Sequence, residues 1–332
     1  MKNDGLVDFS MWIKSNGLNS IVPVDVETLK KLSVLDLSKQ KLRELPVSIG
    51  SLENLTVLKI SGNRLKKLPS SICKLKNLRN LQCENNLLEE LPEDFGLLDS
   101  LLVLNLNGNH LRELPKSFYK LTKLTRLTIA TNLLQEIDDE FKNLDKLLYL
   151  SLDTNDIKQL PDVFGKMKAL YYLDLSYNKL TTLPNSISQI DELETLLLEG
   201  NRISNLPSLE SHDMLIKLNL NNNELWELDF DLSKLEDLQI LTLDNNQLQS
   251  LPNSICELKK LRHLSITGNL LTDLPEHIGE LENLIELDVE DNLLHTFPPS
   301  FTKLSKLKIL YIDGNNGIQK PDIKSLEYCD VE

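Results

Sequence analysis

Five histidines, four cysteines and seven tyrosines are the side chains in this 332-residue sequence best suited to chemistry beyond packing. A metal centre needs His and Cys ligands at short, regular spacing. His110, His212, His263, His277 and His295 show none, and Cys73, Cys83, Cys256 and Cys329 form no C-x-x-C pair. A cysteine nucleophile needs a base that draws off its proton, and no histidine keeps a fixed relation to any of the four. G-x-S-x-G, P-loop and H-E-x-x-H patterns are absent. The sequence therefore points to no enzyme, no metal and no cofactor. The tyrosines are different, because three of the seven fall in the nine residues LYYLDLSYN, 170–178. Tyrosine combines a large apolar ring with a polar tip, which suits recognition. Whether Tyr171, Tyr172 and Tyr177 are core or surface depends on the elements that hold them.

Charge narrows the possible partners. The chain has 36 basic and 50 acidic residues, a formal net charge of -14. That balance argues against nucleic acid, which needs basic patches, and against docking on an anionic membrane. The first residues, MKNDGLVDFSMWIK, are interrupted by Asp4 and Asp8 and contain no signal-like apolar run. No stretch has the ~18 apolar residues of a membrane span. Cysteines without a pairing pattern suit a reducing compartment, so the expected location is cytoplasmic.

The positioning elements come from an internal repeat. The pattern L-x-x-L-x-L-x-x-N-x-L-x-x-L-P-x-x-I-x-x-L-x-x begins at Leu32 and recurs thirteen times, the last at Leu307. Every spacing is 23 residues except Leu193 to Leu215, which is 22. The ninth position is asparagine except for Gln40, and the fifteenth is proline except for Asp138 and Asp229. Of the prolines, only Pro299 lies outside the phase, so the register is not chance. L-x-L alternation describes a short strand with one buried face. Each repeat returns to the same place, so neighbouring strands run parallel. The asparagine amide can bond backbone groups of adjacent turns, and I-x-x-L fits a short helical or 3₁₀ segment opposite the strand. Strands pack ~4.8 Å apart while the other side is wider, so the array bends with the strands inside, over an arc of roughly 60 Å.

Residues 1–31 read as an N-terminal capping helix, with Leu6, Phe9, Trp12 and Ile13 at helical spacing, followed by a degenerate half repeat containing Pro23. Residues 32–321 are the thirteen repeats, and 322–332 a thin C-terminal cap. In the short repeat, Leu209, His212 and Leu215 restore a spacing of three, with a small local change in curvature as the expected effect.

These repeats resemble leucine-rich repeat proteins, and the L-P-x-x-I-x-x-L half is similar to their intracellular subclass. That subclass includes Ras-pathway scaffolds, plant intracellular Ras-group repeat proteins and many bacterial repeat proteins. The resemblance covers roughly residues 20–321. It implies an α/β solenoid shaped as a curved horseshoe, with a parallel sheet on the concave face and short helical segments on the convex face. It also implies binding of another protein, and leaves open a signalling scaffold, a bacterial effector that mimics a host scaffold, and a regulatory subunit of a phosphatase, kinase or GTPase.

In each strand the fourth and sixth positions point into the core, and the third, fifth and seventh face outward on the concave side. This phase places Tyr149 and Tyr172 in one column, with Asp174 and Leu197 adjoining and Arg126 on the flank. Tyr171 borders the strand. Tyr177, just before Asn178, leans over the edge of the same patch. Exposed aromatics beside charges are the composition of interface hot spots. Further along the face, Glu199, Asp244, Glu286, Asp288, His263 and Tyr311 complete the candidate surface. The face is balanced over repeats one to seven and net negative over repeats eight to thirteen, so a basic region of the partner is expected there. The chain itself reads as a monomer.

Overall fold

The computed structural model describes residues 4–330. The chain divides into two compact units, Met1–Asp156 and Ile157–Glu332. The division falls ahead of the 22-residue repeat and not within it.

The first unit opens with helix α1 (Asp4–Ser15). Leu6, Phe9 and Ile13 recur at helical spacing and are all buried. Trp12 stacks on Phe9 with ring centroids 5.7 Å apart. Helix α2 (Val26–Lys31) follows, and the Asp25 carboxylate caps it by accepting from the Thr28 amide at 2.8 Å. Six three-residue strands come next: β1 (Val34–Asp36), β2 (Val57–Lys59), β3 (Asn80–Gln82), β4 (Val103–Asn105), β5 (Arg126–Thr128) and β6 (Tyr149–Ser151). Each pairs in parallel with the next, 23 residues on. The central leucine of each strand is buried. On the opposite side the repeats fold into 3₁₀ segments, the geometry that I-x-x-L spacing allows. There Phe95 stacks on Phe118 at 6.1 Å, and Tyr119 sits edge-on between Phe118 and Phe141.

The second unit repeats the plan with β7 (Tyr172–Asp174), β8 (Thr195–Leu197), β9 (Lys217–Asn219), β10 (Ile240–Thr242), β11 (His263–Ser265), β12 (Glu286–Asp288), β13 (Ile309–Tyr311) and β14 (Tyr328–Cys329), again parallel in chain order. The short repeat keeps strand register, with Thr195 opposite Lys217. Leu209, His212 and Leu215 are all buried there, so the imidazole fills a slot that most other repeats give to leucine, and two to Met167 and Ile190. The C-terminal stretch is more than a thin cap. Its residues 328–329 add a strand to β13, and the Asp330 carboxylate accepts from the Ile312 amide at 2.7 Å.

Two polar devices hold the repeats in place. The ladder asparagines, all buried but the half-buried Asn315, bond to their own turn and to the preceding repeat. Asn132, for example, donates to the carbonyls of Leu106 and Ile129 at 3.0 and 3.3 Å and accepts from the Leu111 amide at 3.0 Å. Asn201 makes the same set with Leu175, Leu198 and Leu180. Buried backbone groups outside a sheet ladder are thereby satisfied. The second device is the eighth position, where all thirteen repeats have a positive φ, from Lys39 at 59° to Gly314 at 70°. Glycine holds five of these positions, which accounts for the S-G-N, N-G-N, E-G-N and T-G-N fragments as turn geometry. Where proline is missing at position 138, the Asp138 carboxylate caps the 3₁₀ segment instead, accepting from the Glu140 amide at 2.8 Å.

Candidate interaction surface

Most candidate residues stand on short strands whose central side chain is buried, and Tyr177, Glu199 and Asp244 stand in the turns that follow β7, β8 and β10, so the core fixes the strands that carry or precede them. In the first unit, Arg126 and Tyr149 are register partners on β5 and β6. The guanidinium carbon lies 3.7 Å from the ring centroid, a cation–π contact.

In the second unit, hydrogen bonds running through Asn219, Asn221 and Thr267 join Tyr177, Glu199, Asp244 and Asp288. Asp174 and Leu197 are register partners on β7 and β8. Tyr172 donates its hydroxyl to Asp174 at 3.4 Å, and the other carboxylate oxygen accepts from the Ser176 amide at 3.0 Å. Tyr177 occupies the left-handed turn position after β7, with φ 52°. Its ring packs on Gly200, where an added Cβ would come within 2.6 Å of the ring. Its hydroxyl donates to the Glu199 carboxylate, which holds the phenolic proton and raises the Tyr177 pKa. Glu199 also accepts from Asn219 at 3.0 Å and Asn222 at 3.4 Å. Asn219 in turn accepts from the Thr242 hydroxyl at 2.9 Å. Asp244 accepts from the Ser265 hydroxyl at 2.5 Å and the Thr267 amide at 2.9 Å, and Thr267 donates to Asp288 at 2.6 Å. Burial raises the Asp288 carboxyl above its usual range. His263 Nδ1 lies 3.0 Å from Glu286. Tyr311 meets Tyr328 of β14 at a centroid distance of 5.6 Å.

The face is therefore preorganised, and much of its charge is internally engaged. Tyr177 is the most open of the aromatic candidates, at 53% exposure, while Tyr172 is half-buried. Tyr171, which the repeat phase leaves at the strand border, is exposed. The fifth position does not always face out freely: Thr128, Ser151 and Ser265 are buried.

Nothing in this arrangement activates a nucleophile. Burial pushes the Cys73 and Cys256 thiols up to about 11, although both lie on the outer segments, and the fully buried Cys83 goes well above the usual thiol range. Among the described residues no group of three or more His, Cys, Asp or Glu side chains could hold a metal ion. None of the described helices is long and apolar enough to cross a membrane.

Repeat phase applied to the strands alone misses several features. Trp226, at the twelfth position of its repeat, is 53% exposed. Glu290 is raised to about 7, chiefly by its hydrogen bond with Asp330. The charge is also divided by unit. The first holds 21 basic and 21 acidic residues, and the second holds 15 against 29, the whole net charge of -14.

Parallel three-residue strands, an asparagine ladder and opposing 3₁₀ segments define a leucine-rich repeat solenoid. Comparisons with known proteins agree. A leucine-rich repeat region model matches residues 14–88 and 255–329, and leucine-rich repeat models match 159–203, 214–271 and 100–121. A leucine-rich repeat protein of Leptospira interrogans is 30% identical, covers 88% of this chain and 92% of its own, and superposes with a TM-score of 0.61. The chain belongs to the leucine-rich repeat family. The crystal structure of a TDR receptor is 26% identical with a TM-score of 0.73, covering 90% of this chain and 58% of that one. The Arabidopsis thaliana membrane receptor kinase GASSHO1/SCHENGEN3, solved in complex with CASPARIAN STRIP INTEGRITY FACTOR 2, is 27% identical with a TM-score of 0.58 over 93% of this chain and 48% of that one. No curated protein matches the chain.

Proposed function

We propose that this protein is a non-enzymatic scaffold that holds a partner protein on the strand face of its second unit, through Tyr172, Asp174, Tyr177, Leu197 and Glu199. The observation that carries this reading is the network around Glu199, which holds the exposed Tyr177 ring in place before any partner arrives. Ordering a rotamer-rich side chain on binding costs about 0.5–1.5 kcal/mol, and a side chain already fixed avoids that cost. Asp244, Glu286 and Asp288 extend the face with negative charge, which suits a basic region of the partner. The receptor kinase solved with its bound factor supports a binding role for this fold. Arg126 and Tyr149 offer a separate contact on the first unit. Four free cysteines and the L-P-x-x-I-x-x-L half repeats support a cytoplasmic member of the intracellular subclass, acting as a monomer.

Cross-linking and pulldown from native cells should recover a partner that Tyr172→Ala with Leu197→Ala releases. The expected loss is at least about 2 kcal/mol of binding, with unchanged thermal unfolding. Full retention of the partner by that double variant would refute the site. A captured phosphatase, kinase or GTPase whose activity changes on binding would assign the scaffold to enzyme regulation.

A further inference from the structure

The turn edge that follows the ladder asparagines in the first unit carries a charge pattern unlike that of the strand face. At the tenth, twelfth and thirteenth positions of the first two repeats stand Lys41, Arg43, Arg64, Lys66 and Lys67, against a single acid, Glu44. All five cations are exposed. Lys66 has an ion-pair partner, Glu89 at 3.7 Å. Among the described residues the other four have none within 4.0 Å. Arg43, Arg64, Lys66 and Lys67 wall a cavity of about 700 Å³ together with Leu87, Glu44, Glu89 and Glu90. Arg43 also borders an adjoining cavity of about 680 Å³ that reaches Lys41 and Trp12 of α1.

This concentration of positive charge stands out in a chain of net charge -14. Like charges brought together on neighbouring turns repel, and although Glu44, Glu89 and Glu90 line the same cavity, none lies within 4.0 Å of the cationic nitrogens of Arg43, Arg64 or Lys67. An external anion would relieve that repulsion. Guanidinium groups match carboxylates through paired N–H donors. A uniform polyanion such as nucleic acid would meet Glu44, Glu89 and Glu90 on the same wall, at a cost in repulsion. A polypeptide would not, because its backbone amides can donate to those glutamates while its acidic side chains take the cations. Leu87 and Trp12 supply apolar contact for an aliphatic neighbour in such a segment.

We propose that this edge groove is a second docking site, for an acidic segment of a partner protein. It is separate from the strand face and does not rest on the reading given for that face. The test is fluorescence anisotropy on the full chain with a fluorescein-labelled peptide of alternating glutamate and leucine. Binding should weaken at least about tenfold in Arg64→Glu with Lys67→Glu, and weaken as NaCl rises from ~50 to ~300 mM. It should be unaffected by Tyr172→Ala, so failure here and failure of the strand-face site are distinguishable. A milder pair, Arg64→Gln with Lys67→Gln, replaces the charge reversal if circular dichroism shows altered folding. Equal affinity in the folded variant overturns the proposal. So does complete competition by ~10 mM inorganic phosphate, which would mark a simple anion site. Sedimentation showing self-association that the double variant abolishes would make the occupant a second copy, and would also overturn it.

Discussion

His212 shows how one residue can carry a pH response without touching any binding surface. It fills a leucine slot in the 22-residue repeat, is 1% exposed, and neither ring nitrogen finds a hydrogen-bond partner of normal geometry. Burial lowers its pKa below 6.5, outweighing the nearby carbonyls of Ile190 and Ile187 and the acids Asp191 and Asp213, which favour the charged ring. A base with a lowered folded-state pKa is neutral in the fold and takes up a proton more readily when unfolded. Its contribution is therefore intact above pH 6.5 and is lost as pH falls from there through the folded-state value. His212→Leu should gain on the wild type in denaturant unfolding as pH drops from about 7.5 to about 5. A stability difference that does not change with pH would refute this. Tyr177 is the second instructive residue. A bulky side chain in a left-handed turn is an outlier, and here the ring is compensated by its contacts with Gly200 and Glu199.

Among the elements, the asparagine ladder does the most for the least sequence. Removing the Asn132 amide strips the Leu111 N–H of its acceptor in a buried turn, while the Leu106 and Ile129 carbonyls each lose one of two bonds and keep those from Asn109 and Asn155. An unsatisfied buried group costs about 1–3 kcal/mol, so Asn132→Ala should destabilise the first unit by about 1–3 kcal/mol in guanidinium unfolding. A loss below about 0.5 kcal/mol would show that water replaces the amide without penalty. The ladder, the strands and the 3₁₀ segments were legible in the sequence because each obeys a fixed period. What the period does not encode stayed hidden. β14 begins 19 residues after the matching position of β13, with a cysteine in the leucine slot, so Leu326 and Tyr328 looked like tail. The network from Tyr177 to Asp288 depends on rotamers. Phase could place its members on one face, but not show that Asp244 is taken up by Ser265 and Thr267. The basic edge lies in the turn positions, where the repeat pattern specifies only the leucines between.

At the scale of the whole molecule, charge separates the two units more sharply than composition suggests. The first is neutral and the second carries -14. Self-repulsion weakens a compact body of one sign, and salt screens it over about 10 Å at 0.1 M. Hydrogen exchange under denaturant should therefore show the second unit gaining protection as NaCl rises from ~20 to ~300 mM, with little change in the first. Equal gains in both would mean that salt acts through some other route. The ladder also has a direction. Asn132 and Asn201 reach back to the repeat before their own, and Gln40 stands where the first repeat has only a half repeat behind it. Synthesis runs the same way. As the chain leaves the ribosome, each new asparagine arrives at a turn that is already made and still lacks its amide, so the solenoid can close one repeat at a time without waiting for its end.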